Sequence, residues 1–394
     1  MREAVIASAA RTPIGSFNGG LASVHAAELA AGVIKEALAR AGVSVDQVDD
    51  VFIGNVLAAG LGQNVARQAA LRAGIPDSVP ATAINQLCGS GLRTVALAAQ
   101  QVLLGDADIV VAGGTENMSA SPYLLEQGRN GYRMGHGQVF DSMIRDGLWC
   151  AMTDTHMGIT AENIATEFEI SREDQDEFAA ESQQRAGRAI RDNKFGEEIV
   201  SVSVPQRRGD PITVAYDEFP RPTTLAAGLG KLRPAFDKAG SVTAGNASGV
   251  NDGAAATVVM SREKAEELGI TPLATIKSWA TAGVPPRIMG MGPVKAVPKA
   301  LAKAGLTLDE IDLLELNEAF AAQSLGVIRA LGIDTEKTSV NGGAIALGHP
   351  IGASGTRVLT TLLYEMRRRD LRYGLAALCI GGGQGIAMVL ERET

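Results

Sequence analysis

Ile84-Asn85-Gln86-Leu87-Cys88-Gly89-Ser90-Gly91-Leu92 carries a cysteine on a glycine-rich elbow between two apolar runs. Before it, 81–85 reads as a buried strand; after it, 92–104 is a long Ala/Val/Leu helix. A second buried strand follows at 109–112, closed by Gly113-Gly114. Further out lie a strand at 4–10, a helix over 24–41 that Gly42 would close, and a strand at 48–56. Strands and helices alternate, which predicts an α/β layer.

The last third repeats this order. A strand near 273–279 leads to a helix over 294–304 and a strand at 311–316. Then 340–355 reads as a strand and elbow, containing Asn341-Gly342-Gly343-Ala344-Ile345-Ala346-Leu347-Gly348-His349-Pro350-Ile351-Gly352-Ala353-Ser354-Gly355. A helix over 356–367 and a strand at 374–379 complete the copy. Cys88 and His349 thus hold matching elbows in an internal duplication, and packing two such halves would bring the elbows close. Between the halves, 119–248 is richer in charge, Gly and Pro and reads as an inserted loop domain, with one amphipathic surface helix over 172–193. The pattern of the first half resumes with a strand at 253–260 and a helix at 262–268. The predicted division is 1–118 with 249–270, then 119–248, then 271–394.

With 394 residues, 46% hydrophobic and 20% charged, the chain has a globular composition and room for several packed subdomains. A net charge of −8 argues against non-specific nucleic-acid binding, so any anionic substrate must meet local basic groups. The start, Met1-Arg2-Glu3-Ala4, lacks a basic leader with a long apolar run, and Glu391-Arg392-Glu393-Thr394 is not a peroxisomal signal. The apolar tail stretch at 375–390 is broken by glycines and too short to span a bilayer. No membrane contact and a cytoplasmic location are expected. Three cysteines, Cys88, Cys150 and Cys379, with no CxxC pair predict neither a disulfide framework nor a thiolate metal site.

Cys88 stands at the predicted start of a helix, where free backbone N–H groups and the helix dipole favour a thiolate. The plain alternative is a small buried hydrophobe. His349 is one of four histidines, with His25, His136 and His156, and is set in the elbow that mirrors Cys88. A Cys–His pair is the minimal device for an activated thiol. Cys379 opens Ile380-Gly381-Gly382-Gly383-Gln384-Gly385, which is no dinucleotide loop because a strand, 386–390, follows it rather than a helix. Such a run exposes N–H groups suited to an oxyanion, or else is an ordinary turn beside a buried thiol.

The segments around Cys88, Asn341 to Gly355 and Gly374 to Gly385 resemble the three signature motifs of thiolases, and Asn317-Glu318-Ala319-Phe320 is similar to that family's NEAF box. The likeness extends through His156-Met157-Gly158 and Asn246-Ala247-Ser248-Gly249. Ser339 departs from it, since many members carry Asn there. The resemblance implies a duplicated, layered αβαβα core with an inserted CoA-binding loop domain. It implies reversible Claisen condensation of two acetyl-CoA to acetoacetyl-CoA and CoA through S-acetyl-Cys88, with no cofactor beyond the CoA thioesters. His349 would be the base for Cys88 and Cys379 the base for the second acetyl-CoA. His349 and a water on Asn317 would hold the enolate oxygen, and the N–H groups of Cys88 and Gly381 the tetrahedral oxyanion. CoA contacts map onto His156, Arg221, Phe236, Ala244 and Ser248, the pantetheine tunnel onto Met157, Met289 and Phe320, and a further substrate contact onto Ala319. Met157 with Met289 resembles the short-chain subgroup, and 128–136 the loop that joins dimers into a homotetramer. Alternatives are a thiolase of broader 3-ketoacyl-CoA range, a ketoacyl synthase, from which Cys379 and the NEAF box depart, and a non-catalytic acyl-CoA binding protein.

Overall fold

Apolar residues occupy both faces of the central strands because helices cover the sheet on each side. The computed structural model describes residues 2–393; the terminal positions Met1 and Thr394 lie outside the described residues. In chain order the main elements of the first half are β1 (Ala4–Arg11), α1 (Ala26–Ala41), β2 (Asp50–Gly54), α2 (Val65–Ala73), β3 (Ala81–Ile84), α3 (Ser90–Leu104) and β4 (Ile109–Asn117). Then come α4 (Met157–Glu167), α5 (Arg172–Arg191) and β5 (Asn251–Ser261). The second half holds β6 (Ala274–Gly283), α6 (Gly292–Ala304), β7 (Leu313–Leu316), α7 (Ala321–Leu331), α8 (Ser354–Arg369), β8 (Tyr373–Ile380) and β9 (Gln384–Arg392).

The sheet order is β7-β8-β9-β6-β1-β5-β4-β2-β3, with Gly15–Ser16 pairing to β5 as a tenth strand. The duplication is visible in the pairing. From β1 outward the neighbours are antiparallel β5, antiparallel β4, parallel β2 and parallel β3; from β6 outward they are antiparallel β9, antiparallel β8 and parallel β7. The halves join where β1 meets β6 at Val5↔Thr275 and Ile6↔Ala274. Side chains alternate between layers as a period of two demands. Val5, Val111 and Val258 face α1 and α2; Ile6, Val110 and Val259 face inward to α3 and α8. Leu375, Ala377 and Val389 face α6 and α7, while Ala376, Leu378 and Met388 face inward. Five layers result, α/β/α/β/α, with α3 and α8 in the middle.

Local sequence fixes the ends. The His25 side chain accepts the Ala27 N–H ahead of α1, and Gly42 closes it in the left-handed region at φ 67. Ser171 and Asp174 form a capping box at the start of α5.

Four expectations need correction. β4 runs through Gly113 and Gly114 to Asn117 instead of ending at them, because β5 pairs with it along its whole length and the missing side chains let Gly352 approach. β3 is only partly covered: Thr82 and Ala83 are exposed because β3 is an edge strand. No strand forms at 340; its counterpart of β3 shrinks to one bridge, Leu314↔Thr338, before Ser339 turns the chain at φ 42. The α5 helix is more than a surface element, since Ser182 and Gln183 are buried against Glu318 and Ile345 of the second half, and Gln175 and Asp176 against Ser241 and Asn246.

Candidate active site

The two elbows meet because the N-termini of α3 and α8 cross with glycine at the contact. A Cβ on Gly91 would sit 2.8 Å from Thr356 N, and one on Gly355 would run into Leu92 N. Thr356 Oγ1 donates to Gly91 O at 2.8 Å across the crossing. Ile351, two residues past His349, consequently packs in one apolar cluster with Leu87 and Cys88.

Leu87 holds a left-handed φ of 47, which a leucine adopts only under constraint. The Ser90 hydroxyl supplies it by accepting from Gln86 N at 2.8 Å and donating to Leu87 O at 2.6 Å. Gln86 Nε2 also donates to Gln384 Oε1 at 3.2 Å, tying the elbow to the glycine turn after Cys379. The backbone N–H groups of Gly381 and of Cys88 itself are near enough to the Cys88 thiol to favour its anion, and the thiol lies close enough to Cys379 that a charge on one raises the other.

His349 is buried, its main-chain N–H given to Asn251 Oδ1 at 2.9 Å. Its Nδ1 stands 2.6 Å from Ser354 Oγ, and that hydroxyl donates to Pro350 O at 2.9 Å. The hydroxyl hydrogen being committed, Nδ1 carries the imidazole proton and Nε2 keeps its lone pair. Nε2 faces Asn317 Nδ2 at 3.4 Å, long for a hydrogen bond. Asn317 Oδ1 is buried without a partner, an acceptor left for substrate or solvent. The β7–β8 register sets Asn317 beside Cys379: Leu316 pairs with Ala377, and Asn317 N donates to Ala377 O at 2.9 Å.

The electrostatics correct one expectation. Burial pushes the Cys88 thiol up to about 11, against the two N–H groups that favour its anion, so the resting Cys88 side chain is a thiol and not a thiolate. The reason is position: α3 begins at Ser90, and Cys88 lies outside the helix end in an apolar pocket. Burial likewise raises Cys379. Burial, aided by the Arg357 charge, lowers His349 to about 3, which keeps the resting imidazole neutral.

The Thiolase, N-terminal domain family covers residues 4–263 and the Thiolase, C-terminal domain family covers 270–392. This chain belongs to the thiolase family. An acetyl-CoA acetyltransferase of Cupriavidus necator is 60% identical over 393 residues, covering all of both chains. The acetyl-CoA acetyltransferase of Escherichia coli is 60% identical with the same coverage. The crystal structure of the Bacillus anthracis acetyl-CoA acetyltransferase matches with a TM-score of 0.98 at 46% identity, over 100% of this chain and 99% of that one.

Within this thiolase, the residues expected to line the tunnel, and Ala319 with them, converge. Met157, Met289, Ala319 and Phe320 are buried in one cluster with Cys150 and Cys379, and Phe236 packs on it. Met157 Sδ lies 3.5 Å from where a Cβ on Gly381 would sit. The Phe236 ring stacks on His156 at 4.6 Å and meets Phe320 edge-on at 6.2 Å. His156 caps α4, its Nδ1 accepting Gly158 N at 3.0 Å, and burial lowers its basicity. Ser248 N donates to Ala319 O at 3.0 Å, which joins the loop domain to the NEAF segment. Arg221 and Ala244 stay at the surface, outside that cluster; the Arg221 guanidinium lies 6.0 Å over the Phe219 ring.

Three supporting residues escaped the sequence reading. Ser354 sets the His349 tautomer and Asn251 holds its backbone. Glu116 accepts Asn55 Nδ2 and Leu57 N on one oxygen and Val56 N and Gly352 N on the other, all at 2.9 to 3.1 Å. Burial pushes Glu116 up to about 7 while these donors favour its anion. A charged Glu116 following the apolar run Ile109 to Ala112 within one fully buried strand was the available signal.

Proposed function

We propose that the protein is an acetyl-CoA C-acetyltransferase, condensing two acetyl-CoA into acetoacetyl-CoA and CoA and catalysing the reverse thiolysis. The observation that carries this is the meeting of the half-buried Cys88 thiol and the buried Cys379 thiol at one glycine turn, with Asn317 beside the Cys379 strand and 3.4 Å from Nε2 of a neutral His349. Likeness to acetyl-CoA acetyltransferases over the full chain supports the substrate.

Cys88 passes its proton to His349 Nε2 as its sulfur bonds the acetyl carbon, and the Cys88 and Gly381 N–H groups hold the oxyanion. The C–S bond to CoA breaks, and the leaving thiolate takes the proton of Cys379. Cys379, now a thiolate, removes an α-proton from the second acetyl-CoA, while protonated His349 and the Asn317 side chain hold the enolate oxygen. The carbanion attacks acetyl-Cys88, the Cys88 thiolate departs, and His349 returns its proton. Atoms and protons balance without a cofactor. His156, Phe236 and Ser248 would flank the pantetheine, and Arg221 and Ala244 the outer part of CoA.

Buried Met157, Met289 and Phe320 beside Cys379 favour short acyl groups. Among the described residues no helix is long and apolar enough to cross a membrane, which fits a cytoplasmic enzyme. Exposed Tyr123, Leu125, Met134 and Val139 in the segment around 128–136 support a homotetramer. The deciding experiment is intact mass after incubation with acetyl-CoA: wild type and Cys379→Ala should gain one acetyl group on Cys88, and only wild type should form acetoacetyl-CoA. Condensation by Cys88→Ala at a normal rate would refute the covalent route.

A further inference from the structure

Asn317 and Glu318 follow β7 and face opposite ways, Asn317 inward to His349 and Glu318 outward. Behind Glu318, between α5 and α7, lies a cavity of about 470 Å³ that acyl transfer does not use. Its walls include the apolar Phe178, Leu316, Leu325 and Ile328. Glu318 is buried, its Oε2 accepting Ser182 Oγ at 2.7 Å and Ile345 N at 3.2 Å. Ser324 is 1% exposed, and its hydroxyl, also lining the cavity, has no partner. Around the rim stand Asp174, Glu177, Glu181 and Glu336.

Arg185 is the one cation among the lining residues, and it is already committed. It donates to Glu181 Oε1 at 2.9 Å and to the carbonyls of Thr335 and Thr338 at 3.0 and 2.7 Å. Asp174 pairs with Arg329, Glu181 with Arg185 and Arg188, and Glu336 with Arg185, which leaves Glu177 as the unpaired rim carboxylate among the described residues. Burial raises the floor carboxyl Glu318 to about 7, so the cavity carries a modest negative charge at floor and rim, with apolar walls between. Ser339 leaves it open, because its short side chain bonds back to the Leu316 backbone at 3.2 to 3.3 Å.

We propose that this cavity binds a small organic cation, an alkylammonium of a few carbons, with its nitrogen at Glu318 and Ser324 and its chain against Leu325 and Ile328. An anion would meet the acidic rim. A bare divalent ion wants six or more oxygen ligands, which apolar walls do not offer, and no cluster of three His, Cys, Asp or Glu suited to a metal occurs among the described residues. A charged nitrogen on an apolar stem matches both surfaces, and the buried hydroxyl gains the partner it lacks.

The test is calorimetric titration of the full-length protein, without CoA, by n-butylammonium, neutral n-butanol and potassium ion, so it stands apart from acyl transfer. Butylammonium should bind saturably with a millimolar dissociation constant, about tenfold or more tighter than butanol or potassium. Glu318→Gln should erase the preference for charge. Ser339→Asn should block butylammonium by filling the cavity; its left-handed φ of 42 suits Asn, so this variant decides the matter even if Glu318→Gln fails to fold. Equal binding of butanol, equal binding of potassium, the absence of saturation, or binding unchanged in Ser339→Asn would each overturn the proposal.

Discussion

The reactivity of Cys88 is set by what surrounds a single sulfur. With its thiol raised to about 11, alkylation of the resting enzyme by iodoacetamide should climb about tenfold per pH unit from 7 to 10 without a plateau. A plateau near pH 7 would show a preformed thiolate. Ser354→Ala should leave Cys88 in place yet free the His349 ring to take either tautomer, lowering kcat by up to the roughly 10²–10⁴ that a positioned acid–base group contributes. Stopped-flow acetylation checks it, and an unchanged rate would mean that the ring is held elsewhere. Cys88, His349 and Cys379 were legible because each interrupts an apolar run with a glycine-rich turn. Ser354 and Glu116 were not, since a hydroxyl in a helix and a carboxylate in a strand acquire a role only from groups that reach them across the fold, as Gly352 N reaches Glu116.

Among elements, the crossing of α3 and α8 has the least tolerance. Gly355→Ala puts a methyl against the Leu92 backbone, and neither helix can yield without moving an elbow. Overpacking of this kind costs about 1–3 kcal/mol, so the melting temperature should fall; kcat should fall more steeply than stability alone explains, because Cys88 and His349 separate. Equal activity per folded molecule, from denaturation and turnover on one preparation, would contradict this. Most helices and strands were legible from period and punctuation, with Gly42 an example that closes α1 as expected. The strand expected at 340 was not formed, because its apolar residues serve a turn and the short helix Ala344–Leu347.

Over the whole molecule, duplication was readable from the repeated order of elements, whereas the two-pair junction of β1 with β6 leaves no sequence signal. Charge is buried at that scale too. Glu315 on β7 faces Arg357 on α8 at 3.9 Å, both buried, and burial raises Glu315 from its ordinary 4.5 to about 8. The folded state thus keeps a proton that the unfolded chain releases, so this group's contribution is full below pH 4.5 and is lost as pH rises through 8. Glu315→Gln should remove a stability slope of up to about 1.4 kcal/mol per pH unit in that window, read by urea denaturation at several pH values; an unaltered slope would assign the proton elsewhere. The meeting of the elbows also has a consequence in time. At about 5–20 residues per second, Cys88 emerges from a ribosome roughly 15–60 s before Cys379. Through that interval the nascent chain holds a thiol with neither imidazole nor glycine turn beside it, and an unfinished protein cannot draw acetyl groups from the cell's thioesters. Reactivity arrives with the final strands, so the chemistry is switched on by the completion of synthesis.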